Sequence, residues 1–522
     1  MNQMRAVWHD RTAVWLFWPG AAAVTAGVAL HLPMFLMSRS MGYRLAGMPM
    51  DDGMLAGMAL IIGGTIASGA GLLRLPRAER RVPRLTARAE EATDTALTAA
   101  HWWLMLTLTL ALVIDMMKPA TLGFVVPGTA QEYGLTRPAV ALLPFSGLSG
   151  TAIGSYVWGA LADRAGRRGA ILLAAIMFIG TSICGAMPSF AWNIVMCFLM
   201  GLAAGGLMPI AYTLLGELVP ARHRGWFLVL LGGVGLVGGY VAASGAAVLL
   251  EPRFGWRIMW FLGLPTGALL ILLNRFIPES PSFLMLRGDV AQANAVMARF
   301  GLPRVATTPG APARANGSTL LRRPFGRVTL ALNLCAFAWG LVNYGLLLWL
   351  PADLRARGFG VAASDALLAR SALIALPTVV VTAWLYHRWS TKRTLVLVSL
   401  LTMLGLLGVP LLGWVVPVQG IAPVVLIAVL MVGSGGVIAV LPPFSVESYP
   451  ARIRGRGTGL VAGSSKLGGI AAQLATMGAA VPQLAVVAGV LAVPVLLGAL
   501  LAGRFGRETR GRRLAEIDAW RP

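Results

Sequence analysis

The chain has 522 residues, of which 57% are hydrophobic and only 12% charged, and its mean hydropathy is +0.75. One soluble core could not hide that much apolar surface, so the composition excludes a water-soluble globular domain and points to lipid. The formal net charge of +23 falls in short clusters between apolar runs, which excludes a nucleic-acid-binding face and fits the loops of a membrane protein.

Apolar runs of bilayer length recur near 14–37 and 54–73, then near 102–127, 139–162, 169–187, 192–215, 226–250 and 256–276. After a polar gap they resume near 328–351, 366–386, 394–416, 421–444, 457–478 and 483–503. The two-residue alternation of a β-barrel is absent. The pattern predicts an all-α membrane protein of about 14 transmembrane helices, with two six-helix halves preceded by an extra N-terminal hairpin. The first run follows Arg5 and Arg11, but it is too long for a signal-peptide core and lacks a small-residue cleavage site, so it reads as a retained span.

The expected organisation is a hairpin with a basic linker over 1–100, one half over 101–276, a linker over 277–327, the second half over 328–505 and a tail over 506–522. The linker carries Pro303, Pro309, Gly310, Pro312 and Gly317, and its amphipathic stretch 290–300 is expected to form a short surface helix. Alternate loops differ in charge. One set holds Arg74, Arg77, Arg80, Arg81, Arg84 and Arg88, then Arg164, Arg167 and Arg168, then Arg222 and Arg224, then the 277–327 segment, Arg388, Lys392 and Arg393, and Arg452, Arg454 and Arg456. The other set carries little, such as Arg137, Arg253, Arg257, Arg355 and Arg357. The positive-inside rule then puts the first set and both termini in the cytoplasm, with the protein in the plasma (inner) membrane.

An internal repeat fixes the two-half reading. Glu217-Leu-Val-Pro220-Ala-Arg222-His-Arg224-Gly225 recurs as Glu447-Ser-Tyr-Pro450-Ala-Arg452-Ile-Arg454-Gly455, at the same end of the fourth helix of each half. Between the second and third helices of the first half stands Gly159-Ala-Leu-Ala-Asp163-Arg164-Ala-Gly166-Arg167-Arg168. This stretch resembles the signature loop of the major facilitator superfamily. The second-half copy, Tyr386-His387-Arg388-Trp389-Ser-Thr-Lys392-Arg393, has His387 where an acid is usual. Pro278-Glu279-Ser280-Pro281 and Gly506-Arg-Glu508-Thr509-Arg510-Gly511 resemble the stretches that follow the sixth and last helices of the sugar-porter, metabolite (aromatic acid):proton symporter and synaptic-vesicle-type branches.

The resemblance covers about 101–517 and implies a proton-coupled transporter working by alternating access. It gives Gly159, Asp163, Arg164, Gly166, Arg167, Arg168, Glu217, Arg222, Arg224, Glu447, Arg452 and Arg454 a role in gating. The seventh helix lacks the glutamine pattern of sugar porters, whereas Trp349-Leu350-Pro351 is more similar to aromatic-acid symporters. Those symporters carry Asp-Gly-x-Asp in the first helix. Here the run is Asp115-Met116-Met117-Lys118, with a base in place of the second acid, and Cys197 stands where an arginine is usual in the fourth helix.

Ionisable side chains at membrane depth cost about 2.5–3.5 kcal/mol each on insertion scales, so each is a candidate for function. Asp115 and Lys118, one turn apart, read either as a self-neutralised pair or as a proton carrier beside a cation that attracts an anion. Lys466, in Ser465-Lys466-Leu467-Gly468, sits where this branch often carries a base, and a cation there suits a carboxylate substrate. Trp339, Asn343, Tyr344 and Tyr240 are expected either to line the cavity or to pack between helices. Cys184, Cys197 and Cys335 lie in apolar runs without ligand spacing, and no metal, cofactor or enzymatic residue set is implied. The expected partners are a small-molecule substrate, protons and the bilayer, with the chain acting as a monomer. A small organic acid is the first expectation for the solute. A sugar or polyol is the second, and a transporter-derived membrane sensor is the reading from a different class.

Overall fold

The computed structural model describes residues 11–73, 96–303, 320, 325–410, 421–449, 451–478 and 484–510. The basic stretch 74–95, most of 304–324, the side chain of Arg452 and the tail beyond 510 lie outside the described residues. Among the described residues every regular element is a helix, because in lipid only a helix satisfies all backbone donors and acceptors within one segment.

The hairpin consists of α1 (Arg11–Ala29) and α2 (Asp52–Leu73). The first half contains α3 (Ala99–Tyr133), α4 (Leu142–Gly180), α5 (Phe190–Ala204), α6 (Leu207–Leu218), α7 (Ala221–Phe254) and α8 (Gly263–Leu273). A short linker helix, α9 (Val290–Arg299), occupies the amphipathic stretch expected there. The second half contains α10 (Gly326–Leu341), α11 (Val361–Arg388), α12 (Thr391–Gly408), α13 (Ile421–Ser448), α14 (Ala451–Met477) and α15 (Leu484–Phe505).

Twelve described segments are long and apolar enough to cross a membrane. One of them, Arg137–Ala186, is 50 residues long, twice what a single crossing needs, and turns back at Gly166. Gly166 has φ 84°, a left-handed-side conformation that a side chain would strain, and this gives the signature loop its tight reversal. Helix α14 is also 27 residues long; its first turns hold Arg452, Arg454 and Arg456, which lower its hydropathy without shortening it.

Helices α1 and α2 pack without side chains between them: a Cβ on Gly27 would sit 2.5 Å from the Gly57 carbonyl, and one on Gly57 would sit 2.7 Å from the Gly27 carbonyl. The hairpin docks on the first half. Phe35 meets Phe261 at a tilt with ring centroids 5.0 Å apart, Ile61 reaches Gly180, and the connecting loop donates the Leu45 and Ala46 amides to Glu132 Oε1 at 2.8 and 3.0 Å.

Candidate functional site

The repeat seen in the sequence has a matching repeat of hydrogen bonds. In the first half the Glu279 carboxylate accepts from the amides of Arg167 at 2.8 Å and Arg168 at 3.4 Å, just past the Gly166 turn, while Ser280 Oγ donates to Glu217. In the second half Glu508 accepts from the Thr391 amide at 3.0 Å and from the Ser390 hydroxyl, while Thr509 Oγ1 donates to Glu447 at 2.7 Å. Each post-helix acid therefore caps the N-terminus of a helix, where the helix dipole favours negative charge, and the next residue's hydroxyl holds the repeated glutamate. Burial nevertheless pushes the Glu279 carboxyl above its ordinary value against the pull of the Ser280, Arg167 and Arg168 amides and of the Arg167 charge. At Glu508 burial pushes up as well, but hydrogen bonds from Ser390, Thr391 and Arg510 outweigh it and hold the carboxyl below its ordinary value.

The halves meet unevenly. At the end bearing these motifs, Gly225 of α7 abuts Glu447, the charge of Arg224 acts on Glu447, and His223 faces His387 with ring centroids 6.3 Å apart. Tyr386 adds a hydrogen bond to Glu447 at 2.6 Å, from the position beside His387. Along α4 and α14 the same end is apart: Tyr156 is 78% exposed, and a Cβ added to Gly159, Gly455, Gly459 or Gly463 would meet nothing within 4 Å. Asp163 is exposed and among the described residues pairs with Arg167, at 3.9 Å, whose guanidinium also lies 3.9 Å from Glu217. Arg164 and Arg222 are exposed, Arg168 is half-buried and its carbonyl accepts from Asn274, and Arg454 donates to the Tyr449 carbonyl at 3.1 Å.

At the far end the halves are joined. Leu148 of α4 approaches Gly469 of α14, Arg137 pairs with Asp353 at 2.6 Å, and Arg355 pairs with Glu251 at 3.0 Å and Asp365 at 3.2 Å. Arg257 is fully buried and pairs with Glu132 at 2.7 Å within the first half. Three of the few arginines on this side are thus tied down by carboxylates. The sequence reading counted the bases and passed over Glu251, Asp365 and Glu132, because these acids stand at the ends of apolar runs and read as loop residues.

Between the two ends lies a cavity of ≈ 70 Å³, bordered by Met116, Pro119, Ala120 and Gly123 of α3, Tyr240 of α7 and Met431 and Ser434 of α13. Asn343 and Tyr344 also border it, from a π-helical turn, Val342–Leu347, that continues α10. Such a turn rotates the helix face locally and often marks a functional site. Gln473 of α14, fully buried, donates to the Tyr344 carbonyl at 2.6 Å and accepts from Trp349 Nε1 at 3.3 Å. The Tyr240 hydroxyl and Ser434 Oγ are buried and find no hydrogen-bond partner among the described residues. Sequence reasoning missed Gln473 and Ser434, since an isolated Gln or Ser in an apolar run carries no periodic signal.

The remaining candidates separate. Trp339 stands behind the cavity, donating to the Ser434 carbonyl at 2.9 Å and meeting Tyr344 edge-on at 5.9 Å. Lys466 is half-buried, with its ammonium 5.9 Å from the Tyr344 ring centroid. The charges of Lys466 and Lys118 both act on the buried Asp115 carboxyl, whose Oδ2 has no hydrogen-bond partner among the described residues. Lys118 itself turns into the first half, donating to the Phe178 carbonyl and to Thr181 Oγ1 at 2.9 Å, with its ammonium 4.0 Å from the Phe178 ring centroid. Asp115 therefore feels one cation of its own half and one of the other. The three cysteines are free and buried, and no group of potential metal ligands occurs among the described residues.

The profile of the Major Facilitator Superfamily matches residues 108–473. Among curated proteins, the chain is 28% identical to the niacin transporter NiaP of Acinetobacter baylyi over 80% of this chain and 96% of that one. It is 30% identical to a gallate transporter of Pseudomonas putida (78% and 92%) and 27% identical to the 4-hydroxybenzoate transporter PcaK of the same organism (71% and 84%). Among solved structures, a partially occluded inward open form of the xylose transporter XylE from E. coli superposes with a TM-score of 0.62 at 18% identity, covering 80% of this chain and all of that one.

Proposed function

The chain belongs to the Major Facilitator Superfamily, and from that premise we propose that it is a secondary active transporter of a small aromatic or heteroaromatic carboxylate, carried with a proton by alternating access. The observation that carries this reading is the cavity's lining, in which Tyr240, Tyr344, Met116 and Met431 offer flat and deformable apolar surface and Asn343 and Ser434 offer a few polar contacts. Lys466, beside the Tyr344 ring, supplies a cation for the carboxylate. Relatives named for niacin, gallate and 4-hydroxybenzoate support the same solute class. A sugar would need many more donors and acceptors than this lining offers.

Asp115 carries the proton in this reading. Its buried oxygen lacks a donor, and its surroundings change whenever Lys466 moves with the second half. Lys118 holds α3 to the first half and sets the charge around Asp115. The signature loop and the repeated glutamates stabilise one access state. The asymmetry of basic loops supports cytoplasmic termini in an inner membrane, with the motif end facing the cytoplasm. The protein acts as a monomer, without cofactor or nucleic acid. The test is uptake by proteoliposomes of labelled nicotinate, gallate, 4-hydroxybenzoate and xylose with and without an inward proton gradient. Gradient-driven accumulation of an aromatic acid supports the reading, and accumulation of xylose alone refutes it.

A further inference from the structure

The far-end junction holds more acid than base. Arg355 presents Nη1 to Glu251 Oε1 at 3.0 Å, while its single Nη2 lies 3.1 Å from Glu251 Oε2 and 3.2 Å from Asp365 Oδ1. Both carboxyls therefore converge on one guanidinium nitrogen. All three groups are shielded, with side-chain exposures of 6% for Glu251, 0% for Asp365 and 15% for Arg355. Asp365 Oδ2 finds no N–H or O–H donor among the described residues.

Among the described residues no other charge balances the cluster. On the helix Leu350–Ala356, which carries Arg355, Asp353 is engaged by Arg137, and Arg357 just beyond its end is exposed. Arg253 on α7 and Arg370 on α11 are exposed, while Glu132, at the end of α3, is taken by Arg257. Tyr240 contributes only a neutral phenol near Asp365, and the one acid of α13, Glu447, lies at the opposite end of the molecule. Two carboxylates converging on one guanidinium nitrogen cannot both stay ionised out of water without strong repulsion, so the assembled cluster holds one proton between them.

We propose that Glu251, Asp365 and Arg355 form a second proton-binding site, distinct from Asp115, that exists only while the far end of the transporter is closed. Glu251 belongs to the first half and Asp365 and Arg355 to the second. Opening the far end pulls the two acids apart, each becomes hydrated, and the shared proton leaves to the far-side solution. Closing it takes a proton back from that same side. This proton is not carried across; it makes closure dependent on far-side acidity. The site holds whichever solute is transported.

The test uses the full chain in lipid nanodiscs with spin labels on Leu249→Cys and Ala356→Cys, exposed positions near the junction in opposite halves that leave every charge in place. The native cysteines are buried. The far-end distance is read without substrate from about pH 5 to about pH 9. In the otherwise native protein a longer-distance population should grow with pH, with an open-to-closed ratio rising up to about tenfold per pH unit for one linked proton. Glu251→Gln and Asp365→Asn each balance the arginine without a proton, so each should stay closed and lose the pH response. Arg355→Gln keeps both acids without their cation and should open at lower pH than the native protein. Because the gate proton returns to its own side, Glu251→Gln should keep the native proton-to-solute ratio in transport. A distance distribution that does not move with pH in the native protein, or a native-like pH response in both Glu251→Gln and Asp365→Asn, overturns the proposal. Neither result bears on the solute class or on Asp115.

Discussion

Gln473 donates its side-chain N–H to the main-chain oxygen of Tyr344 at 2.6 Å, a bond from α14 to a turn whose own ladder is interrupted. The widened π turn leaves that carbonyl to be satisfied from outside, and it also turns Asn343 and Tyr344 toward the cavity. Gln473→Leu should strand a buried acceptor at a cost of about 1–3 kcal/mol and let the turn drift. KM for the transported solute should rise about tenfold while the protein still folds and inserts, as read by uptake kinetics in proteoliposomes.

The intramembrane charges separate into binding and coupling. Lys466→Met keeps the length and apolar stem of the side chain and removes the cation, so affinity for aromatic acids should fall at least tenfold and that for neutral amide analogues much less. Asp115→Asn cannot exchange a proton but keeps shape and polarity. Accumulation driven by a proton gradient should vanish while exchange of internal for external solute persists. Normal anion transport by Lys466→Met together with gradient-driven accumulation by Asp115→Asn would remove both assignments.

Asp163 is exposed where α4 and α14 stand apart, and the proposed gating role gives it partners only in the other access state. Asp163→Asn should slow turnover several-fold, leave KM nearly unchanged and increase reactivity of a cysteine placed at Gly459 toward motif-side reagents. Unchanged turnover and labelling would take the signature loop out of gating.

The sidedness of the hairpin is open to labelling. Its connecting loop lies at the far end, against Glu132 and Arg257, while Arg388 is exposed at the motif end. In intact cells Arg44→Cys should react with an impermeant maleimide, and Arg388→Cys should react only after the membrane is opened. Reaction of both from one side would contradict two extra spans before the body.

Glu508 and Glu279 are symmetry mates with opposite titration. Glu508 is held below its ordinary value, so its contribution to stability is present above the unfolded carboxylate value and fades as pH falls through the lower folded one. Glu508→Gln should destabilise the detergent-solubilised protein near neutral pH by about 1 kcal/mol once solvent screening is allowed for, read as a lower unfolding temperature, and the difference should vanish in acid. Glu279, raised by burial, is stabilising in its protonated form, a contribution lost as pH rises through its folded value. Glu279→Gln should therefore narrow the loss of stability toward alkaline pH.

The sequence by itself determined the class of this protein. Runs of bilayer length require helices, because lipid offers no partner to an open backbone, and the recurrence of Glu217 to Gly225 as Glu447 to Gly455 requires two related halves. Asp115, Lys118 and Lys466 were legible as exceptional because charge in an apolar run is costly wherever the run ends up. Which neighbours each meets was decided by tertiary structure. Lys118 turns into its own half, whereas Lys466 comes from the other half to act on Asp115, and no spacing along the chain encodes that meeting. Glu251, Asp365 and Gln473 were silent in the sequence for the same reason. A polar residue in an apolar run gains such a partner only when packing brings one from a distant helix and removes the water between them, and that depends on contacts about a hundred or more residues apart, as from Glu251 to Arg355 and from Tyr344 to Gln473.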